Sequence, residues 1–559
     1  MLSVPRSLTK TTTMIAFTFS LPVRPSIPSS QLLSRPATVP LSRHIRPARW
    51  TSVATSRSTS TSTGFATVDA IDDDKLWDVQ TGRMSKIVCT IGPKTCDVNS
   101  MEKLAETGMD VVRLNMSHGT HEWHQQVIEN VREINERGVF KLGILLDTKG
   151  PEVRSGDLRA PITVSRGQRF VWTIRKDNET FDDNTVDVSY DDFVKDVHVG
   201  DTLLVDGGIC SFLVTEVTDT DVISKCIDGG TLTSRRHLNV RGKSASLPAI
   251  TEKDWEDIKF GMQNNVDFYA LSFVKHEDDV ALLKKYLREN GCQALVLSKI
   301  ESADAVKRLR PILEESDGAM VARGDLGAEI AIEDVPLVQD EIVNINRQLR
   351  RPTIVATHML ESMISYPQPT RAEVADITEA VRQGADATML SGETANGSYP
   401  YKALTVMATV AESVVSQDSA LSENDLFSPV IDTREGRSQD PRLDLAYGAS
   451  TLASRLNVAA IVVFTRVGTY AKLVASTRPR CPIVALTPDE DLVRRLTLLW
   501  GVKPFHLDFS GDPEETISNA INLLLEKGLT STGDNIVITS DMLVKGKNKV
   551  NTIQVRRVH

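Results

Sequence analysis

The chain has 559 residues, 41% of them hydrophobic and 25% charged, and a net charge of −10. That balance suits a globular protein of two to four domains, and with no basic block in its body it excludes a nucleic-acid surface. No apolar run approaches the roughly 20 residues that cross a bilayer, and the six cysteines form no Cys-x-x-Cys pair or His-Cys cluster, which excludes a zinc site and a disulfide framework.

Residues 1–68 contain no Asp or Glu, while Arg6, Lys10, Arg24, Arg35, Arg43, Arg46, Arg49 and Arg57 are scattered through Ser, Thr and Pro. An acid-free, hydroxyl-rich, Arg-dotted leader is the pattern of a cleaved organelle transit peptide. Ser and Thr outnumber Arg, which favours a plastid over the alternative, a mitochondrion. Removing the eight cations would take the net charge from −10 to −18.

From residue 85 apolar, β-branched stretches end in polar or Gly residues and alternate with helical patterns. The strand candidates are 86–93, 111–119, 142–151, 267–275, 294–302, 318–327, 353–363 and 385–394. Eight strand-then-helix repeats predict a (β/α)8 TIM barrel over 69–148 and 246–415, whose site lies at the C-terminal strand ends. The beat breaks at 149–245, where alternating strands and turns predict an inserted small β-barrel domain, placed at the rim as a lid. Residues 416–559 begin with a polar linker and continue as a C-terminal α/β domain.

The rim residues carry the chemistry. In "LVLSKIESAD" (295–304), Lys299 and Glu301 are two apart, so they share a strand face. Glu301 and Asp325, from adjacent strands five and six, offer the hard oxygens that suit Mg²⁺ (or Mn²⁺). Lys299 beside them suits charge developing on a transferred phosphoryl group, and the glycines of "RGDLG" (323–327) let backbone approach an anion. On strand two, Arg113, Asn115 and Ser117 follow at i, i+2 and i+4; on strand three, Asp147 and Thr148 add oxygens. Amide, hydroxyl and one carboxylate together suit a monovalent cation.

These segments resemble a known family. "KIVCTIGP", "VVRLNMSHG", "LLDTKGPEVRSG", "LSKIES", "MVARGDLG", "ATHMLESM" and "LSGETANGSYP" resemble, in order, the signatures of pyruvate kinase, from about residue 85 to the C-terminus. "SRRHLNVRGKSASLPAITEKDWEDIKFG" looks most like the plastid form, its β-type subunit. The resemblance implies phosphoryl transfer from phosphoenolpyruvate to ADP, giving pyruvate and ATP. It implies Lys299 as transition-state stabiliser and Glu301 and Asp325 as Mg²⁺ ligands. Gly324, Asp325 and Thr357 would hold the substrate carboxylate and Arg113 its phosphate. Asn115, Ser117, Asp147 and Thr148 would bind K⁺. Pro93, Asn115, His118, Arg154 and Arg236 would meet the nucleotide, and Thr357 and Ser391 would flank the proton's route to the enol carbon. Glu152 stands where K⁺-independent members carry Lys. Trp123 replaces a Tyr, and Arg236 a Lys. The third domain at 465–485 lacks the Ser-Gly-Arg-Ser core of the sugar-phosphate loop, so activation by fructose 1,6-bisphosphate is not carried over. An oligomer, a tetramer or larger with like or mixed subunits, is implied. Two other readings stay open at this level: a Mg²⁺-dependent aldolase or lyase, and a catalytically silent regulatory subunit.

Overall fold

The computed structural model describes residues 83–176, 181–182, 184–242, 247–417, 441–540 and 551–559. The expected leader and most of the expected linker lie outside these residues.

Eight parallel strands close into a barrel: Lys86–Thr90, Val111–Asn115, Gly143–Asp147, Phe268–Leu271, Leu295–Ile300, Gly318–Ala322, Thr353–Ala356 and Ala387–Leu390. Each is a near-continuous apolar run because both faces are covered. Val88, Leu145, Phe268, Leu297, Met320 and Ile354 fill the interior, while Ile87, Leu146, Tyr269, Val296 and Val321 face the helices. This alternation fixes the register, since a one-residue slip would exchange the two sets.

The insert is all β, with a six-stranded sheet and a two-stranded ribbon around one core. Phe170, Trp172 and Phe212 meet there with ring centroids 5.0–5.3 Å apart. Irregularities in the Cys210–Val217 strand, at Ser211/Phe212 and Val214/Glu216, supply the bends that curl such a sheet. The insert is anchored where it leaves the barrel. Asp254 closes the capping box of helix Glu252–Gln263 with Thr251, and its other oxygen accepts from the Gly150 N–H at 3.0 Å. Gly150 takes φ +73°, open to glycine at little cost. On the far side, Gly242 N–H donates to the Glu329 carbonyl at 2.8 Å, bringing the insert down on the rim.

The third domain has a sheet ordered Val502–His506, Ile483–Thr487, Ala460–Phe464, Asn535–Ser540, Thr552–Arg557, parallel except for its last strand. It seats on the N-terminal end of the barrel through Arg478–Asp386 at 2.8 Å, Arg494–Asp267 at 3.0 Å and Lys86 Nζ to the Val502 carbonyl at 2.7 Å. The opposite end is left to chemistry. No helix among the described residues is long and apolar enough to cross a membrane.

Candidate active site

Strand five delivers Lys299 and Glu301 to the C-terminal rim as alternation requires, and their side chains meet, Nζ to Oε1 at 2.8 Å. They do form an ion pair, but a buried one, with residue exposures of 8% and 1%. A surface contact would be worth little; a buried pair must be held by further hydrogen bonds. Those bonds are present. Lys299 Nζ also meets Asp147 Oδ1 at 3.1 Å and donates to Ser272 Oγ at 2.7 Å. Asp147 Oδ2 accepts from Arg113 Nε at 2.7 Å, and Arg113 Nη1 donates to Thr90 Oγ1 at 3.0 Å. The ends of strands one, two, three and five, with the loop after strand four, therefore share one polar network.

Its electrostatics are uneven. Burial alone would raise the Asp147 carboxyl and lower the Lys299 ammonium, but in each case the opposite charges prevail. Asp147 is held below the usual carboxylate range by Arg113 and Lys299; Lys299 is held above the usual amine range by Asp147 and Glu301. Glu301 behaves differently. Burial pushes its carboxyl up and Asp325 repels its charge, against the pull of Lys299. Its Oε2 accepts from the Phe273 N–H at 2.6 Å, and its buried Oε1 lies 2.8 Å from the Lys299 ammonium.

This raised carboxyl, repelled by a second carboxylate, is what a divalent cation would relieve. Among the described residues no group of three or more His, Cys, Asp or Glu is placed to hold a metal alone. Two carboxylates plus substrate and water oxygens are how Mg²⁺ is usually bound, so Glu301 and Asp325 fit it. For a monovalent ion, Asn115 Oδ1 accepts one bond from the Ser117 N–H at 3.2 Å, and Thr148 Oγ1 accepts from the Ser272 N–H at 3.0 Å. Those neutral oxygens keep lone pairs. The single charge of Asp147 is already opposed by two cations, which suits K⁺ better than a dication.

Two sequence expectations are corrected here. Asp325 is not on strand six, which ends at Ala322; it lies in the first turn of helix Arg323–Glu329. Ser117 is not on strand two. The strand stops at Asn115, whose side chain caps a turn through the Ser117 N–H, so alternation does not carry Arg113's face on to Ser117.

The stretch around Gly324 and Thr357 is compact. A Cβ on Gly324 would stand 2.8 Å from Thr357 Cγ2, so glycine leaves the room that the Thr357 methyl occupies. Thr357 and His358 adopt φ +72° and +55°, which costs on the order of 1–3 kcal/mol for such residues. Arg323 over-determines that shape, donating to the Thr357 carbonyl at 2.7 Å and pairing with Asp376 at 2.6 Å. Glu393, buried at strand eight's end, accepts from the Leu360 N–H at 3.0 Å and the Ser391 N–H at 2.7 Å. It fixes the Ser391 and Thr357 loops to one another.

The expected nucleotide residues are spread along the rim and the insert. Pro93 and His118 are exposed. Arg154 is paired with Glu152 at 2.6 Å, and Arg236 with Asp206 at 3.0 Å. Ser272, Phe273, Thr90, Arg323 and His237 were not singled out from sequence. His237 reaches from the insert to Asp325 Oδ1 at 3.5 Å. Ser272 and Phe273 could have been found by the strand-end rule, since they close strand four's run; His237 had no local signal.

Residues 82–404 match the family described as "Pyruvate kinase, barrel domain", and residues 444–556 that described as "Pyruvate kinase, alpha/beta domain". The chain belongs to the pyruvate kinase family. It is 49% identical over 479 residues to "Plastidial pyruvate kinase 2" of Arabidopsis thaliana, covering 85% of this chain and 81% of that protein. With "Pyruvate kinase isozyme A, chloroplastic" of Nicotiana tabacum it shares 44% over 490 residues, covering 85% and 82%. A crystal structure of a pyruvate kinase from Cryptosporidium parvum superposes with TM-score 0.79 at 35% identity, over 87% of this chain and 98% of that one. The architecture expected for a pyruvate kinase, an eight-stranded barrel followed by an α/β domain, is thus the one observed.

Proposed function

We propose that this chain transfers a phosphoryl group from phosphoenolpyruvate to ADP in plastids, with Mg²⁺ (or Mn²⁺) and K⁺ as its metals. The observation that carries this reading is the buried Lys299–Glu301–Asp147–Arg113 network at the catalytic end of the barrel. Arg113 presents a guanidinium to the substrate phosphate, its orientation fixed by Asp147 and Thr90. Lys299, kept cationic by two carboxylates, stabilises charge as the phosphoryl group moves. The Gly324–Asp325 backbone and Thr357 receive the substrate carboxylate. Thr357 and Ser391, tied through Glu393, hold hydroxyls beside the enol carbon's proton route. The insert excludes water by closing on the rim. When bound, the divalent cation supplies charge neutralisation between the reacting phosphates. Glu301 and Asp325 would hold it, while Asn115, Ser117, Asp147 and Thr148 would hold K⁺.

The plastid address rests on the acid-free leader and on relatives named plastidial or chloroplastic. A coupled assay of pyruvate formation from phosphoenolpyruvate and ADP tests the activity; no pyruvate from folded protein with both metals present would refute it. Residues 1–68 fused to a fluorescent reporter should enter plastids, and a diffuse cytosolic signal would refute the address.

A further inference from the structure

The third domain holds a cavity of about 640 Å³ between helix Pro441–Leu456 and the segment 477–482, at the amino ends of strands Ala460–Phe464 and Ile483–Thr487. Arg455, Arg478 and Arg480 line it, with hydroxyls such as those of Tyr447, Ser454 and Thr477, and no aspartate or glutamate does. Among the described residues Arg455 and Arg480 form no ion pair and no side-chain hydrogen bond. Arg478, 5% exposed, commits its terminal nitrogens to Asp386 at 2.8 and 2.9 Å, yet its Nε is buried without a partner. Behind the cavity, Arg347 of barrel helix Val335–Leu349 also has a buried, unpartnered Nε. Burial and the Arg478 charge depress its pKa, against the pull of Asp386 and Tyr447. Four guanidiniums thus gather where, among the described residues, Asp386 is the one carboxylate that pairs with any of them.

We propose that this cavity binds a small phosphate-bearing anion. Guanidinium forks and hydroxyls are the donor set that phosphate oxygens take, and the volume is that of a small-metabolite site. The cavity lies at the amino ends of these strands, whereas the altered sugar-phosphate segment begins at Thr465, at the carboxyl end of Ala460–Phe464; the two share only the stretch 477–482 that leads into the next strand.

Its position gives occupancy a route to the chemistry. Asp386 immediately precedes strand eight, which ends at Leu390 just before Ser391, and its Oδ2 accepts from the N–H of Thr353, which opens strand seven toward Thr357. The Trp500 N–H also donates to Asp386 Oδ1 at 3.1 Å. An anion that pulls on Arg478 therefore pulls on the base of the two strands that carry the proton-route hydroxyls.

The test uses the full chain and two probes, inorganic phosphate and glycerol 3-phosphate, at constant ionic strength. The variant is Arg455→Ala/Arg480→Ala; both residues are exposed, and an unchanged melting temperature verifies folding. Wild type should bind at least one probe by calorimetry, at least tenfold more tightly than the variant, and that probe should protect Arg480 from phenylglyoxal in peptide mass maps. Preference for one probe tells whether the site takes the free ion or a monoester. Equal binding in both proteins, or no protection of Arg480, overturns the site. Phosphate should also alter the KM for phosphoenolpyruvate in wild type beyond its competition in the variant; identical shifts overturn the link through Asp386.

Discussion

Replacing Lys299 by Met separates a chemical role from a structural one. The substitution removes the contacts to Glu301, Asp147 and Ser272 at 2.8, 3.1 and 2.7 Å. Breaking a buried pair costs about 3–5 kcal/mol when the partner is stranded. Here neither partner is stranded. Asp147 keeps Arg113 at 2.7 Å, and Glu301 keeps the Phe273 N–H and, with its carboxyl already pushed up, can take a proton. The stability loss should therefore lie at or below about 3 kcal/mol, leaving a folded protein. The loss in kcat should be at least about 10²–10³-fold, because the ammonium's contact strengthens as phosphoryl charge moves. Removing a cation beside Glu301 should leave Mn²⁺ affinity unchanged or higher. The measurements are the coupled pyruvate assay, thermal melting and Mn²⁺ titration by electron paramagnetic resonance. Near-normal turnover in the folded mutant would refute the assignment and reduce Lys299 to a buried structural ion.

Glu301→Gln should weaken Mn²⁺ binding in the same titration by at least tenfold while the protein stays folded; unchanged affinity would remove Glu301 from the metal site. Activity should rise steeply when K⁺ replaces tetramethylammonium at constant ionic strength, and Glu152→Lys should relax that dependence, read as initial rate against K⁺. A wild type equally active in both cations would mean no such site operates. Burial alone would raise the Asp110 carboxyl, but Arg83 and Lys86 hold it below the usual range. With the folded value depressed, its stabilisation is present above about pH 4 and is lost as pH falls through that lower value. Asp110→Asn should flatten the fall of Tm between about pH 5 and pH 3, and an unaltered acid limb would exclude this carboxylate as its source.

The barrel was legible because parallel strands covered on both faces read as apolar runs, and all eight lie within the stretches inferred. The Lys299–Glu301 pairing was legible because alternation is local. Asp325 was misplaced because a helix starts at Arg323, directly after the strand's last residue, with no side-chain cap and with glycines that disfavour helix, and side-chain capping by Asn115 ended strand two early. The edge strand Thr552–Arg557 was missed because "TIQVRR" is only half-buried, with two apolar residues among six and an arginine on each face. Ser272 lies where the strand-end rule could have found it, directly after strand four, whereas His237 acts through Asp325, distant in sequence, and no spacing rule reaches that.

The bond from Gly150 to Asp254 has a consequence for how the insert can move and vary. It brings the point where the chain leaves strand three within one hydrogen bond of the helix where it returns. Entry and exit thus share a single pivot, so the domain can swing as one piece without dragging barrel strands, and helix Glu252–Gln263 keeps its cap throughout. Because the ends are already together, lengthening or shortening the chain between them adds little closure entropy, growing only logarithmically with loop length. The barrel is thereby insulated from whatever the insert becomes.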